Sequence, residues 1–325
     1  VAWDSVPWFT EGGAEHSSEV ARLLAYAAFA GGEGIVGSGD LQVRALSSPA
    51  AAVNVYPGAC AILNRAPGGR YQAYAARLPS ADQVPVAATG AAKRSDLVVA
   101  RVENPYSAGE TWALPGDPKV GPYIYTRIVS NVPATTTSVR QVRPNDSSIT
   151  LARIDIPANA SSITQAMIKD LREMVAPRAR RRLYTSSPSG DQNWAGNSKG
   201  QWVAWPPAAR WTVEVPPWAT KARIMLTVAG VQVMRGGVWG SSAWKLGTLQ
   251  GESVTLDTGA GDGSQRIHLI SADTISIPSS MRGTVQTLSG MISLDDDNAG
   301  VLQADVATTC VLDVDWAEDP TEDET

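Results

Sequence analysis

His16 and His268 are the only histidines in the chain of 325 residues. A serine–histidine–carboxylate relay needs one of them as its base, oriented by an acid. His16 stands just before the first apolar periodic segment. His268 lies between Ile267 and Leu269 in a strand-like alternation, which points its ring at solvent. No Gly-x-Ser-x-Gly elbow accompanies either one. Paired carboxylates could cleave a glycosidic bond, but Asp96 and Glu103 are separated by a strand and nothing singles them out. Asp295-Asp296-Asp297-Asn298 places four oxygen-bearing side chains in one turn, the donor chemistry of a calcium loop and equally the composition of a polar hairpin. The glycine-rich stretch 257–265 lacks the Lys-Ser/Thr of a phosphate loop and reads as a flexible connection. Cys60 and Cys310 sit in apolar, strand-like surroundings, which predicts two buried free thiols, and no zinc-type Cys/His spacing exists. The expectation is a non-enzyme with no catalytic residue, no cofactor and no metal, with Asp295, Asp296 and Asp297 as the candidate cation ligands.

Indole is the more telling signal. Of 11 tryptophans, Trp194, Trp202, Trp205, Trp211, Trp218, Trp239 and Trp244 crowd into about 50 residues, in a chain with only 2 phenylalanines. Some must therefore fill a core. Exposed indoles on a β-sandwich stack on sugar rings or anchor protein interfaces. Trp202, Trp205 and Trp239 are flanked by Gly, Ser or Pro and are the residues expected to be exposed and to stack on glycan.

Composition bounds the classes available. Hydrophobic residues are 43% and the net charge is only -5, which excludes a disordered chain. Two cysteines exclude a disulfide scaffold, and no apolar run is long enough for a membrane-spanning helix, so no membrane insertion is expected. The start, Val1-Ala2-Trp3-Asp4, lacks the pattern of a signal peptide. Charge is unevenly placed. Residues 1–182 carry 19 basic and 15 acidic side chains, whereas residues 183–325 carry 8 and 17. The acidic half would repel phosphate, so nucleic acid is not an expected partner. The one dense basic run, Arg178-Ala179-Arg180-Arg181-Arg182, reads as a solvated hinge, and 318–325 reads as a solvated acidic tail.

The elements that would position these residues follow from periodicity. Val20, Leu23, Leu24, Ala27 and Ala28 share one helical face, with Ser17 or Ser18 as cap and Gly31-Gly32 as stop, so a helix is expected over about 17–30. Beyond Asp40 the period becomes two. Strands are expected around 41–46, 53–56, 59–63, 96–103, 123–129 and 149–156, and Gly58 after Pro57 is expected to supply a positive φ to a type II turn. Ser162-Ile163-Thr164-Gln165 reads as a capping box opening a second helix over about 163–175, which Pro177 ends. From there the pattern is all strand: Arg210–Val215, Ala222–Met234, Ser253–Leu256, Gln265–Ile270, Thr274–Ile277, Thr284–Leu294 and Ala307–Trp316. The fold class expected is mainly β. An N-terminal β-rich domain with two helices over 1–176 leads through a hinge at 177–188 to an antiparallel, jelly-roll-like β-sandwich over 189–317.

The order Val53-Asn54-Val55-Tyr56-Pro57-Gly58-Ala59-Cys60-Ala61-Ile62, then Arg94-Ser95-Asp96-Leu97-Val98-Val99-Ala100-Arg101-Val102, then Leu151-Ala152-Arg153-Ile154-Asp155-Ile156-Pro157-Ala158, resembles minor tail proteins of long-tailed bacteriophages, particularly those infecting Actinobacteria. Ser161-Ser162-Ile163-Thr164 and Ile168-Lys169-Asp170-Leu171-Arg172 continue the likeness, which covers roughly residues 1–182 and holds no catalytic motif. The resemblance implies a virion component of the tail tip or baseplate, made in the host cytoplasm. Its N-terminal part would attach to other tail proteins, and its variable distal part would face the host envelope and its surface glycan. It also implies self-association, commonly as a homotrimer. A carbohydrate-binding distal module and an envelope-degrading hydrolase are the competing expectations.

Overall fold

Alternation of period two carries nearly half of the chain into antiparallel strands, and the protein is mainly β with a single α-helix among the described residues. The structure, a computed structural model, describes residues 17–194, 201–234, 236–259, 263–295 and 300–321. It divides into two compact units, 1–177 with 320–325, and 178–319.

In the first unit the helix Ser18–Ala28 precedes three sheets. One joins Gly34–Ile35, Gly58–Leu63 and Ala73–Leu78. A second joins Val43–Ala45, Ala52–Val55 and Asp82–Pro85. The third runs in the order Ile168–Asp170, Ser148–Ile156, Arg94–Val102, Ile124–Val132. Arg94–Val102 is its central strand and is buried on both faces. Val98, Ala100 and Val102 join the main core with Ile35, Val53, Ile62, Leu151 and Ile154, while Leu97 and Val99 pack with Val132 and Val139. A strand covered on both sides reads as a continuous apolar run, as 97–100 does.

Two local expectations fail here. The segment 163–175 is not a helix: it forms a short 3-10 turn, Gln165–Met167, and the strand Ile168–Asp170, paired with Ile154, Arg153 and Ala152. The Gln165 side chain accepts from the Ala45 N–H at 3.0 Å instead of reaching back to a cap, and the Ile163 N–H donates to the Ala50 carbonyl. Pairing with the edge of a long strand outweighs a local helical preference. Gly58 does not occupy a left-handed φ. It is required because a Cβ there would stand 2.5 Å from the Leu41 nitrogen, so its role is close backbone approach.

The second unit is a sandwich of two antiparallel sheets. In one, Ala179–Ser186 borders Thr309–Ala317, which borders Lys221–Val233. Gln265–Ser276 lies on the other side of Lys221–Val233, and Leu302–Ala304 and Gln192–Trp194 extend its far end. In the other, Val285–Leu294 pairs with Val203–Ala204, Arg210–Glu214 and Trp239–Leu246, and the last also pairs with Leu249–Gln250 and Val254–Asp257. Inward residues alternate. Ala222, Ile224, Leu226 and Val228 face the core, and after a β-bulge at Gly230 the inward set becomes Val231 and Val233. Gly230 has φ +77, and a Cβ there would meet the Ala307 carbonyl oxygen at 2.8 Å.

The stretch expected as a basic hinge is the edge strand Ala179–Ser186, where Arg181 pairs with Asp313 on the neighbouring strand. Gln265–Ser276 is one continuous strand where two were expected, and Trp239–Leu246 is a strand the alternation did not announce.

Candidate functional site

Six indoles of the second unit, Trp194, Trp205, Trp211, Trp218, Trp244 and Trp316, belong to its core or pack against it. Trp244 is fully buried, and Trp194, Trp211 and Trp218 are half-buried and pack on the core. The expectation that Trp205 is exposed is overturned. It is 4% exposed, it follows the strand Val203–Ala204 into the core cluster, and its indole N–H donates to the Gln192 carbonyl at 3.2 Å. With so little phenylalanine, tryptophan supplies the bulk between the sheets. Trp202 and Trp239 are half-buried, and the Trp239 ring closes over Gly237, where a Cβ would lie 2.8 Å from it. Every described indole is buried or half-buried.

The other singled-out residues are placed as follows. Asp295 follows the strand Val285–Leu294, and its N–H donates to the Trp239 carbonyl. Asp296 and Asp297 lie outside the described residues. Among the described residues no group of three or more His, Cys, Asp or Glu side chains is placed to hold a metal ion. His268 is exposed, and its Nδ1 accepts from the Gly230 N–H at 3.3 Å. His16 is outside the described residues.

Asp96 is fully buried and accepts from Arg94 Nε at 2.8 Å and from the Asn131 N–H at 2.9 Å. Glu103 accepts from Arg127 Nε at 2.8 Å and from Arg101 Nε at 3.1 Å. Burial alone would raise the Glu103 pKa, but the bonds from Arg127 and Arg101 outweigh it and hold the carboxyl below its ordinary value. Both are therefore ion-paired carboxylates in the frame of the sheet. Cys60 and Cys310 are free and buried, and burial pushes their thiols up to about 12 and about 11. A thiol so far from its thiolate is a poor nucleophile.

The basic run is neutralised within its own unit. Arg178 forms a fork with Glu318, Nε to Oε2 at 2.6 Å and Nη2 to Oε1 at 2.5 Å, and Arg181 forms another with Asp313. Those bonds raise the pKa of Arg178 and Arg181. Glu318, read in the sequence as part of a solvated tail, is 2% exposed for this reason, and Asp319 is paired with Lys221.

Two sizeable cavities among the described residues lie in the first unit. They adjoin, with volumes of about 460 and about 490 Å3, and share Ala76 and Ile124. Both open between Ala73–Leu78 and Ile124–Val132, strands that each end their sheet and are not paired with one another. The first cavity has an apolar floor of Leu41, Val55, Cys60 and Leu151, with Arg77 and Arg127 at its margin. The second is walled by Tyr74, Tyr106 and Tyr123, with Glu19, Arg22 and Asn104 among them. Asn104 is clamped between two tyrosines: its Nδ2 donates to the Tyr74 hydroxyl at 3.2 Å, and its Oδ1 accepts from the Tyr106 N–H at 3.0 Å. The Tyr106 and Tyr123 rings lie 6.3 Å apart at 53°. Lost solvation and the Tyr106 hydroxyl raise the Tyr123 pKa. Sequence reasoning did not find this site. Its only local signal is tyrosine beside proline or asparagine at strand ends, in Asn104-Pro105-Tyr106 and Gly121-Pro122-Tyr123.

No protein-family model matches the sequence, and no curated protein matches it. Among solved structures, the chain is similar to one of infectious bursal disease virus Gx strain, at 12% identity over 89% of this chain and 73% of the other, with a TM-score of 0.27. It is similar to the VP2 subviral particle of the same virus at 11% identity, over 89% and 74%, with a TM-score of 0.28. A third similarity, to the T13 viral particle, has 12% identity over 94% and 86%, with a TM-score of 0.25. Scores of this size do not mark a shared fold.

Proposed function

We propose that this chain is a structural component of a phage tail tip or baseplate that assembles with itself as a homotrimer and presents its second unit toward the host cell surface. One observation carries the reading. The segments that resemble minor tail proteins are the framework of the first unit, and the likeness ends near residue 182, about where that unit ends at Pro177. Val53, Val55, Cys60, Ala61 and Ile62 are buried core, as are Leu97 to Ala100 and Leu151, Ala152, Ile154 and Ile156. A shared order of core strands fits a common attachment module followed by a distal domain of separate design.

The second unit offers a surface for self-association. Leu183, Met225 and Ile270 are 64%, 40% and 52% exposed on neighbouring strands of one sheet. The register puts Leu183 opposite Asp313, Asp313 opposite Met225, and Ile270 opposite Thr227, so all three share the outer face. Apolar side chains grouped on a solvent-facing sheet mark an interaction surface.

The test is the mass of the native assembly. A trimer has about 103 kDa, three copies of a 34.2 kDa chain, and the Ile270→Glu substitution is expected to shift it to monomer. A wild-type chain that stays monomeric and never joins a particle would overturn the proposal.

A further inference from the structure

The tyrosine-walled cavity is built like a ligand site. At about 490 Å3 it falls within the roughly 300–1,000 Å3 of small-molecule pockets. Its walls come from four separate segments, and hydrogen bonds fix them before any ligand arrives. Tyr74 is held through Asn104, and the Tyr123 hydroxyl donates to the Pro118 carbonyl at 2.5 Å. Arg22 lies 5.6 Å over the Tyr74 ring, with its Nε donating to Gln72 Oε1 at 2.6 Å. Tyr106 is 69% exposed at the margin, a large aromatic face turned to solvent.

The polar groups define the ligand's chemistry. Glu19 and Arg22 are three residues apart on the helix Ser18–Ala28 and so stand on one face of it. One carboxylate and one guanidinium leave the cavity without net charge, which disfavours phosphate and cations alike. Glu19 is exposed where it lines the cavity, so its oxygens are accessible acceptors. Arg22 keeps its terminal nitrogens as donors, and Asn104 adds an amide between the rings. A planar aromatic wall, with a carboxylate, a guanidinium and an amide at its edge, suits a molecule with one apolar face and a ring of hydroxyls. We infer that the first unit binds a neutral pyranose sugar in the cavity formed by Tyr74, Tyr106, Tyr123, Asn104, Glu19 and Arg22. This goes beyond the structural role proposed above and stands independently of it. It also places glycan recognition away from the tryptophans of the second unit.

Saturation-transfer difference NMR on the full chain tests this, with the methyl α-pyranosides of glucose, galactose and mannose and with N-acetylglucosamine, each at millimolar concentration. At least one is expected to give difference signals from its ring protons. Tyr106→Ala removes an exposed ring without touching the core and is expected to weaken that binding roughly three- to tenfold, the range of one lost aromatic contact. Glu19→Gln is expected to weaken it while leaving the far-ultraviolet circular dichroism unchanged. Tyr71→Ala, at a tyrosine 50% exposed outside the cavity, is expected to leave it unaltered. No difference signal from any of the four sugars, or a signal that survives Tyr106→Ala undiminished, would overturn the inference. Native mass reports separately on trimer formation, so the two proposals fail independently.

Discussion

The central strands of the two units meet the problem of burial differently. Arg94–Val102 is covered on both faces and carries Asp96, wholly buried, among its apolar residues. Lys221–Val233 is covered on one face only, and its outward positions hold Arg223, Met225 and Thr227. The first unit consequently keeps polar groups inside and must satisfy them through ion pairs, and it retains two sizeable cavities beside a pair of unpaired strand edges. The second unit fills its interior with indole and aliphatic side chains, and the described space between its sheets beside Trp205 and Leu226 is only about 10 Å3. One unit keeps concave space beside unpaired strand edges, whereas the other packs its described interior closely and shows a partly apolar outer face.

That contrast is open to attack by substitution. The largest effect is expected for Trp244→Ala. It empties a fully buried position between the sheets and should destabilise the second unit by about 3–5 kcal/mol. Urea unfolding followed by second-unit tryptophan fluorescence should show the loss, and the first unit's transition should keep its midpoint. Equal shifts in both would show that the two cores are not separate. Arg172→Met comes next. The Arg172 side chain is 0% exposed and serves Asp170, the Asp40 and Ser38 carbonyls and the Thr321 carbonyl, so several acceptors are left unpaired. A loss of about 2–3 kcal/mol, confined to the first unit, is expected from hydrogen–deuterium exchange or denaturant midpoints.

A smaller effect, about 1–2 kcal/mol, is expected for Gly230→Val, which forces a branched residue into φ +77 at the bulge that re-registers the longest strand. If thermal unfolding shows the variant as stable as the parent, the bulge is not what sets the inward positions of Val231 and Val233. The smallest effect concerns acid. Glu103 and Asp155 have pKa values below those of free carboxylates, Glu103 through Arg127 and Arg101 against the opposing effect of burial, and Asp155 through Arg153. A depressed folded-state pKa contributes stability above the ordinary carboxylate pKa, and that stability is lost as pH falls through the folded value. The melting temperature of the first unit should therefore drop on acidification below about pH 4, and Glu103→Gln should flatten that drop. An unaltered pH profile in the variant would remove Glu103 from the account.

Legibility in the sequence varied with how local the cause was. The helix Ser18–Ala28 and the strand Lys221–Val233 were readable, because the period of a single segment decides them, whereas Gln265–Ser276 read as two strands. Segment 163–175 was misread, since its apolar residues suit a helix as well as the edge pairing with Ser148–Ile156 that it makes. Trp239–Leu246 was missed because Gly240, Ser241 and Ser242 interrupt its apolar pattern. Its burial comes from strands on either side. Of the candidate glycan residues, Trp205 was placed outside on the strength of its proline neighbours, yet its position depends on the core it enters. The tyrosine cavity was invisible. Its walls come from residues 19, 74, 104 and 123, and no window of the chain contains them together.

The sequence by itself determined the mainly β class, the two buried thiols, and a charge division that falls close to the boundary between the units. These follow from composition and from period, which act over a few neighbouring residues. The tertiary structure alone decided that the basic run becomes an edge strand, that Glu318 is drawn into burial by Arg178, and that Trp205 and Trp244 turn into the core. It alone brought a carboxylate, a guanidinium, an amide and three phenols around one cavity. Some charge pairs are local, as Arg94 with Asp96 and Arg153 with Asp155, but the partners of Arg178, of the strand edges and of the cavity's rings lie tens of residues away, where local pattern holds no information about which of them the fold will supply.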